Sequence, residues 1–244
     1  MKKICALISG ILAIAISSCS SNKTDYEGFG TGIIRVTGDF SIGNRGGLMA
    51  LPPQPFNSHI NEYFTSPPFT MQFDTTWGKQ FSFHTVSFPA MYYFDDGEHA
   101  DINILAMPGD TITIDYSDNF IPTVSGPKVT TDYYNTSVEI YMLDNKRRQL
   151  DRPGSNATPE EIAKADEEYH QALEALFRKN TDNAGSIAVM WHIGRENWDR
   201  LLPEISTELR NHPLLAPSLA FMHRCVNYGI VVTPAEEKTF TPEN

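Results

Sequence analysis

The sequence predicts an α+β fold: an antiparallel β-sandwich or open barrel followed by a helical region. Two observations carry this. Over residues 28–126, apolar and polar residues alternate in short runs separated by Gly, Pro and Asp turns. After Gly126-Pro127 the apolar spacing becomes helical. The clearest alternating unit is residues 101–117, where Ile102, Ile104 and Ala106 alternate with Asn103 and Leu105. Beyond Met107-Pro108-Gly109-Asp110, Ile112, Ile114 and Tyr116 alternate with Thr111, Thr113 and Asp115. The pattern predicts a hairpin or tight strand-to-strand bend. Pro108 would preset φ for the first turn position, and Gly109 would supply a positive φ for the second.

The other strands follow from the same rule. Residues 33–40 form a first strand between glycines, and Asn44-Arg45-Gly46-Gly47 reads as a turn. Leu51-Pro52-Pro53-Gln54-Pro55 is loop or edge, because its prolines donate no ladder bonds. Phe69, Met71 and Phe73 alternate after the Pro67-Pro68 break, and Phe81, Phe83 and Thr85 alternate after Trp77-Gly78-Lys79. Residues 91–94 make an aromatic strand, closed by Asp95-Asp96-Gly97, and residues 122–124 add a last short one.

In the helical region (residues 127–230), residues 131–150 form the first helix. Tyr134, Val138, Tyr141, Met142 and Leu143 lie on one stripe. The next helix starts at Thr158, with Pro159 at the first helical position and Glu161 at the capping-box spacing. Its apolar face is Ile162, Ala165, Tyr169, Leu173, Leu176 and Phe177. Residues 186–193, 197–209 and 217–228 give three more helices, and residues 231–244 are a polar tail.

The first 18 residues are not fold. Lys2 and Lys3 precede an apolar run over residues 4–16, which is too short for a transmembrane span and reads as a secretory signal peptide. Ile16-Ser17-Ser18-Cys19 resembles the lipobox of bacterial lipoproteins. The resemblance implies acylation of Cys19 and a membrane partner through that anchor, with residues 19–27 as a polar tether. Ser follows Cys19, and no acidic run does; by resemblance to known sorting patterns this implies an outer-membrane anchor facing the periplasm.

Loss of Lys2 and Lys3 takes the formal charge from −11 to −13. So acidic a chain repels phosphate backbones, and nucleic acid is not expected as a partner. Of three cysteines, only Cys225 lies in the folded part, so no internal disulfide and no C-x-x-C is expected. A lone thiol in this setting reads as a small packing residue.

No catalytic motif is visible: there is no phosphate loop, no G-x-S-x-G and no H-E-x-x-H. The chain is therefore not expected to be an enzyme or to hold a cofactor or metal. His192/Glu196 and His170/Glu174 have i, i+4 spacing, but such pairs are more often solvated or locally bonded side chains. The acidic loop Asp95, Asp96, Glu98, His99, Asp101 lacks EF-hand spacing and reads as an exposed turn. Tyr92 and Tyr93 must face opposite ways on their strand, so one of them is a candidate for stacking a glycan or peptide. Asp74-Thr75-Thr76 resembles a short O-glycosylation pattern and makes Thr75 its acceptor; Asp110-Thr111-Ile112 matches too, inside the predicted hairpin.

Lipobox, β-rich module, strand-Pro-Gly-Asp-strand unit, Val124-Ser125-Gly126 and helical segment come in a familiar order. Over roughly residues 30–215 the chain resembles the N-terminal domain of unknown function that precedes the thioredoxin-like domain in Gram-negative thiol-disulfide lipoproteins. The resemblance implies a binding or accessory module in the cell envelope, with an envelope protein as partner. It does not extend to thiol-disulfide exchange. That chemistry needs a low-pKa thiolate and a resolving thiol, and the chain has no C-x-x-C.

Overall fold

The computed structural model describes residues 29–38, 45–51, 69–74, 80–95, 102–117 and 120–228. Among the described residues eight strands come first: β1 (Phe29–Thr37), β2 (Arg45–Leu51), β3 (Phe69–Asp74), β4 (Gln80–Val86), β5 (Ala90–Asp95), β6 (Ile102–Ala106), β7 (Thr111–Asp115) and β8 (Thr123–Ser125). Helices follow: α1 (Lys128–Arg148), α2 (Pro159–Lys179), α3 (Gly185–His192), the one-turn α4 (Trp198–Leu201) and α5 (Thr207–Arg210), and α6 (Ala216–Tyr228). The class is α+β, strands before helices. No helix among the described residues is long and apolar enough to cross a membrane.

The strands form two open four-stranded sheets, ordered β4-β1-β7-β8 and β3-β2-β5-β6. Of the two expected readings the hairpin is corrected and the tight strand-to-strand bend holds: β6 pairs with β5, β7 pairs with β1 and β8, and the Pro108-Gly109 turn carries the chain from one sheet to the other. Nor is the pairing wholly antiparallel, because β1 and β7 run parallel, with Ile34 opposite Ile112 and Val36 opposite Ile114. Gly109 does not take a positive φ. Asp110 closes the turn instead: its N–H donates to Met107 O, and its Oδ2 accepts from Met107 N at 2.7 Å.

This corner is tied to β1 and β4. Gly32 N–H donates to Pro108 O at 2.7 Å and to Thr85 Oγ1 at 3.1 Å, and the Thr85 hydroxyl donates to Pro108 O. The backbones approach so closely that a Cβ on Gly32 would lie 2.3 Å from Asp110 O. A side chain there has no room, which explains the glycine.

Two further expectations change. Arg45-Gly46-Gly47 is strand, not turn: β2 is held on both sides, by β3 and by β5, so pairing overrides the poor strand propensity of glycine. Leu51 ends that strand, while residues 52–55 lie outside the described residues. The single helix over 197–209 is broken into a 3-10 turn (Arg195–Asn197), α4, a second 3-10 turn (Leu202–Glu204) and α5. Pro203 has no N–H to continue α4, and the Ser206 hydroxyl recaps the chain at Leu209 N–H.

Two buried clusters organise the molecule. One lies between the sheets: Ile34, Val36, Phe83, Tyr92, Phe94, Ile104, Ile112 and Ile114 are among its members. The other is helical and holds Ile140, Leu173, Phe177, Val189, Trp198, Leu201 and Met222. Strand β6 is buried on both faces. Ile102, Ile104 and Ala106 enter the inter-sheet cluster, whereas Leu105 and Met107 pack on the helical one. Helix α1 bridges them, with Tyr134 in the first and Tyr133 in the second. The Thr130 hydroxyl fixes it to Leu105 O at 2.7 Å, and the Tyr134 hydroxyl donates to Pro122 O. The buried residues of α1 are Thr130, Tyr133, Tyr134, Thr136 and Ile140; of the expected stripe, Tyr134 is buried, and Val138 and Leu143 are partly buried against the two clusters. Tyr141 and Met142 are exposed.

A candidate binding cleft between strand β6 and helices α1 and α3

Where β6 faces α1 and α3, a cleft of about 190 Å³ opens to solvent. Its floor is apolar: Ile102, Tyr133, Tyr134 and Ala188 are buried beneath it. Tyr141, 44% exposed, and the exposed edge of His192 stand at its rim. Asn103, Ser137 and His192 supply the hydrogen-bonding groups.

Asn103 is the unusual member. It sits on the helix-facing side of β6, in step with apolar Leu105 and Met107. Its Oδ1 is buried and has no hydrogen-bond partner among the described residues. An orphaned buried acceptor costs about 1–3 kcal/mol, so it is rarely left without a reason. Ser137, on the facing turn of α1, donates to Tyr133 O at 2.9 Å and so keeps its lone pairs as acceptors. His192 closes α3. Surrounding protein desolvates its ring and lowers its pKa, and the more distant Asp144 only partly offsets this. The imidazole is neutral near pH 7, with one donor and one acceptor nitrogen. Burial also pushes Tyr133 up to about 12, so it remains a phenol.

His192, weighed from sequence as half of a metal-spaced pair, lines the cleft; the candidate stacking residues Tyr92 and Tyr93 do not. Tyr92 is 1% exposed in the inter-sheet core, its hydroxyl accepting from Val86 N–H at 2.8 Å and its pKa raised by burial to about 12. It cannot stack a ligand, because alternation on β5 turns it inward with Phe94. Tyr93 is half-buried on the opposite face, opposite Asn103 in the β5–β6 register. Cys19, Thr75 and most of the acidic loop lie outside the described residues.

His192 and Glu196 do not share a helix, since Gly194 takes φ 93° between them. His170 and Glu174 do share α2, but Glu174 is engaged by Arg178 and by Arg200 at 2.7 Å. Among the described residues no group of His, Cys, Asp and Glu is placed to hold a metal. Cys225 is buried, and burial raises its thiol pKa, which is the opposite of a reactive thiolate.

No sequence-level reading pointed to the cleft. Its signal was present in Asn103, a lone polar residue on a strand whose neighbours on both faces are apolar. Comparison with known proteins finds no matching family model, no matching curated protein and no matching solved structure.

Proposed function

We propose that this chain is a lipid-anchored cell-envelope protein that acts as a binding or accessory module, held at the outer membrane and facing the periplasm. The signal-like leader and the Ile16-Ser17-Ser18-Cys19 sequence support the location. The cleft between β6, α1 and α3 carries the binding role: it gathers hydrogen-bonding groups over an apolar floor, which is how small-molecule sites are built. In this reading the two sheets are the layers of an open β-sandwich, and the resemblance to the module before thioredoxin-like domains describes scaffold, not redox chemistry.

Two measurements test it. Full-length chain expressed in a Gram-negative host should incorporate radiolabelled palmitate and fractionate with the outer membrane, and Cys19→Ala should abolish both. A chain that stays unlabelled and soluble in the periplasm would remove the anchor. Insulin reduction should be absent, and turnover that survives Cys225→Ser would sink the binding-module reading.

A further inference from the structure

The cleft's chemistry narrows what it takes. Among the described residues its lining includes no Asp, Glu, Lys or Arg, so nothing described there would pair with a charged ligand. Cavities of about 150 Å³ accept a single benzene ring, so about 190 Å³ suits one ring with substituents. The rings of Tyr133, Tyr134 and Tyr141 offer flat apolar walls. The polar side offers acceptors: Asn103 Oδ1 has no partner among the described residues, and the one proton of Ser137 Oγ is already donated to Tyr133 O. The terminal torsion of an asparagine is soft, so its oxygen can turn to meet an incoming donor.

We propose that this cleft is a binding site for a neutral, ring-sized small molecule that presents N–H or O–H donors beside an apolar face. A pyranose sugar and a phenolic or indolic ring share that chemistry. The proposal rests on the binding-module reading and gives it a ligand class. Asn103 is its centre: it is kept polar for the ligand at a position where an apolar residue would suit the fold better.

The test uses the purified full chain in detergent, with methyl glucoside, phenol and indole as neutral probes and benzoate and benzylamine as charged ones. Ligand-observed saturation-transfer NMR should show binding of one or more neutral probes and of neither charged one. Binding by the glucoside alone points to a sugar, by phenol or indole alone to an aromatic ring, and by all three to their shared chemistry. Asn103→Leu should weaken the bound probe by roughly tenfold or more, the loss of one buried hydrogen bond. Its ligand-free melting temperature should stay level or rise. Silence from all three neutral probes overturns the proposal, as does equal binding of the charged ones. So does an Asn103→Leu protein that melts lower yet binds unchanged, the behaviour of a merely structural asparagine. Palmitate labelling at Cys19 is untouched by any of these outcomes, so the anchor and the ligand class fail separately.

Discussion

Gly32 and Thr85 set the corner where the two sheets meet. The Thr85 side chain is fully buried, accepts from Gly32 N–H and donates to Pro108 O. Thr85→Val keeps the shape and removes the hydroxyl. Gly32 N–H retains Pro108 O, so the cost is that of one weakened network, about 1–2 kcal/mol, and Thr85→Ser should recover most of it. Gly32→Ala is worse. Its Cβ meets backbone atoms of Asp110, which cannot rotate away, so a loss of about 3 kcal/mol or more is expected. Urea unfolding of the three variants orders them. If Gly32→Ala unfolds at the wild-type midpoint, the close approach described for this corner is wrong. Pro108, Gly109 and Asp110 were legible as a turn from sequence. That Gly32 and Thr85 lock it was not, because they lie far from it along the chain.

Among elements, helix α2 was the most legible. Thr158 Oγ1 accepts from Glu161 N–H at 3.2 Å, and the Glu161 carboxylate accepts from Thr158 N–H at 2.7 Å, the reciprocal cap that the T-x-x-E spacing predicts. Thr158→Ala should cost about 1 kcal/mol, measured by thermal melt with Thr158→Ser as the neutral control. An unchanged Thr158→Ala melt would mean that the first turn of α2 frays without affecting global unfolding.

Strands β4 to β7 were equally legible as strands, yet their partners were not. Alternation reports which side chains share a face; it says nothing about which distant strand supplies the hydrogen bonds. β6 and β7 therefore looked like one hairpin although they belong to different sheets. The same limit hid the cleft. Its polar groups come from a strand and two helices, and only Asn103 carried a local sign. The α1 stripe was only partly legible for a related reason: the helix packs on both β6 and α3, so its buried surface is wider than a single apolar row and includes Thr130 and Thr136, while Tyr141 and Met142 stay exposed.

At the scale of the whole molecule, pH should act in two separable windows. The folded state lowers the His192 pKa below its ordinary value of 6.5, because the ring is desolvated at the β6–α1–α3 junction. The unfolded chain then binds that proton more readily than the folded one. This leaves stability unaffected above about 6.5, where both states are neutral, and drains it as pH falls towards the folded pKa; because His192 is exposed on its outer side, the loss should be modest. The second window is lower. Glu174 is held below the ordinary carboxylate value of 4.5, first by hydrogen bonds from Arg200 and Arg178. A carboxylate with a depressed folded pKa contributes stability that is present above 4.5 and is lost as pH falls through the folded value. Glu174 is solvent-accessible, so this second loss should be small and should shrink in high salt. The two windows report different places: the first the junction that forms the cleft, the second the surface between α2 and α4. Denaturant unfolding from pH 8 to pH 3 should show both. His192→Asn should flatten the upper fall and leave the lower, whereas Arg200→Gln should weaken the lower and leave the upper. A His192→Asn protein that keeps the full loss of stability just below pH 6.5 would mean that the junction does not desolvate this ring.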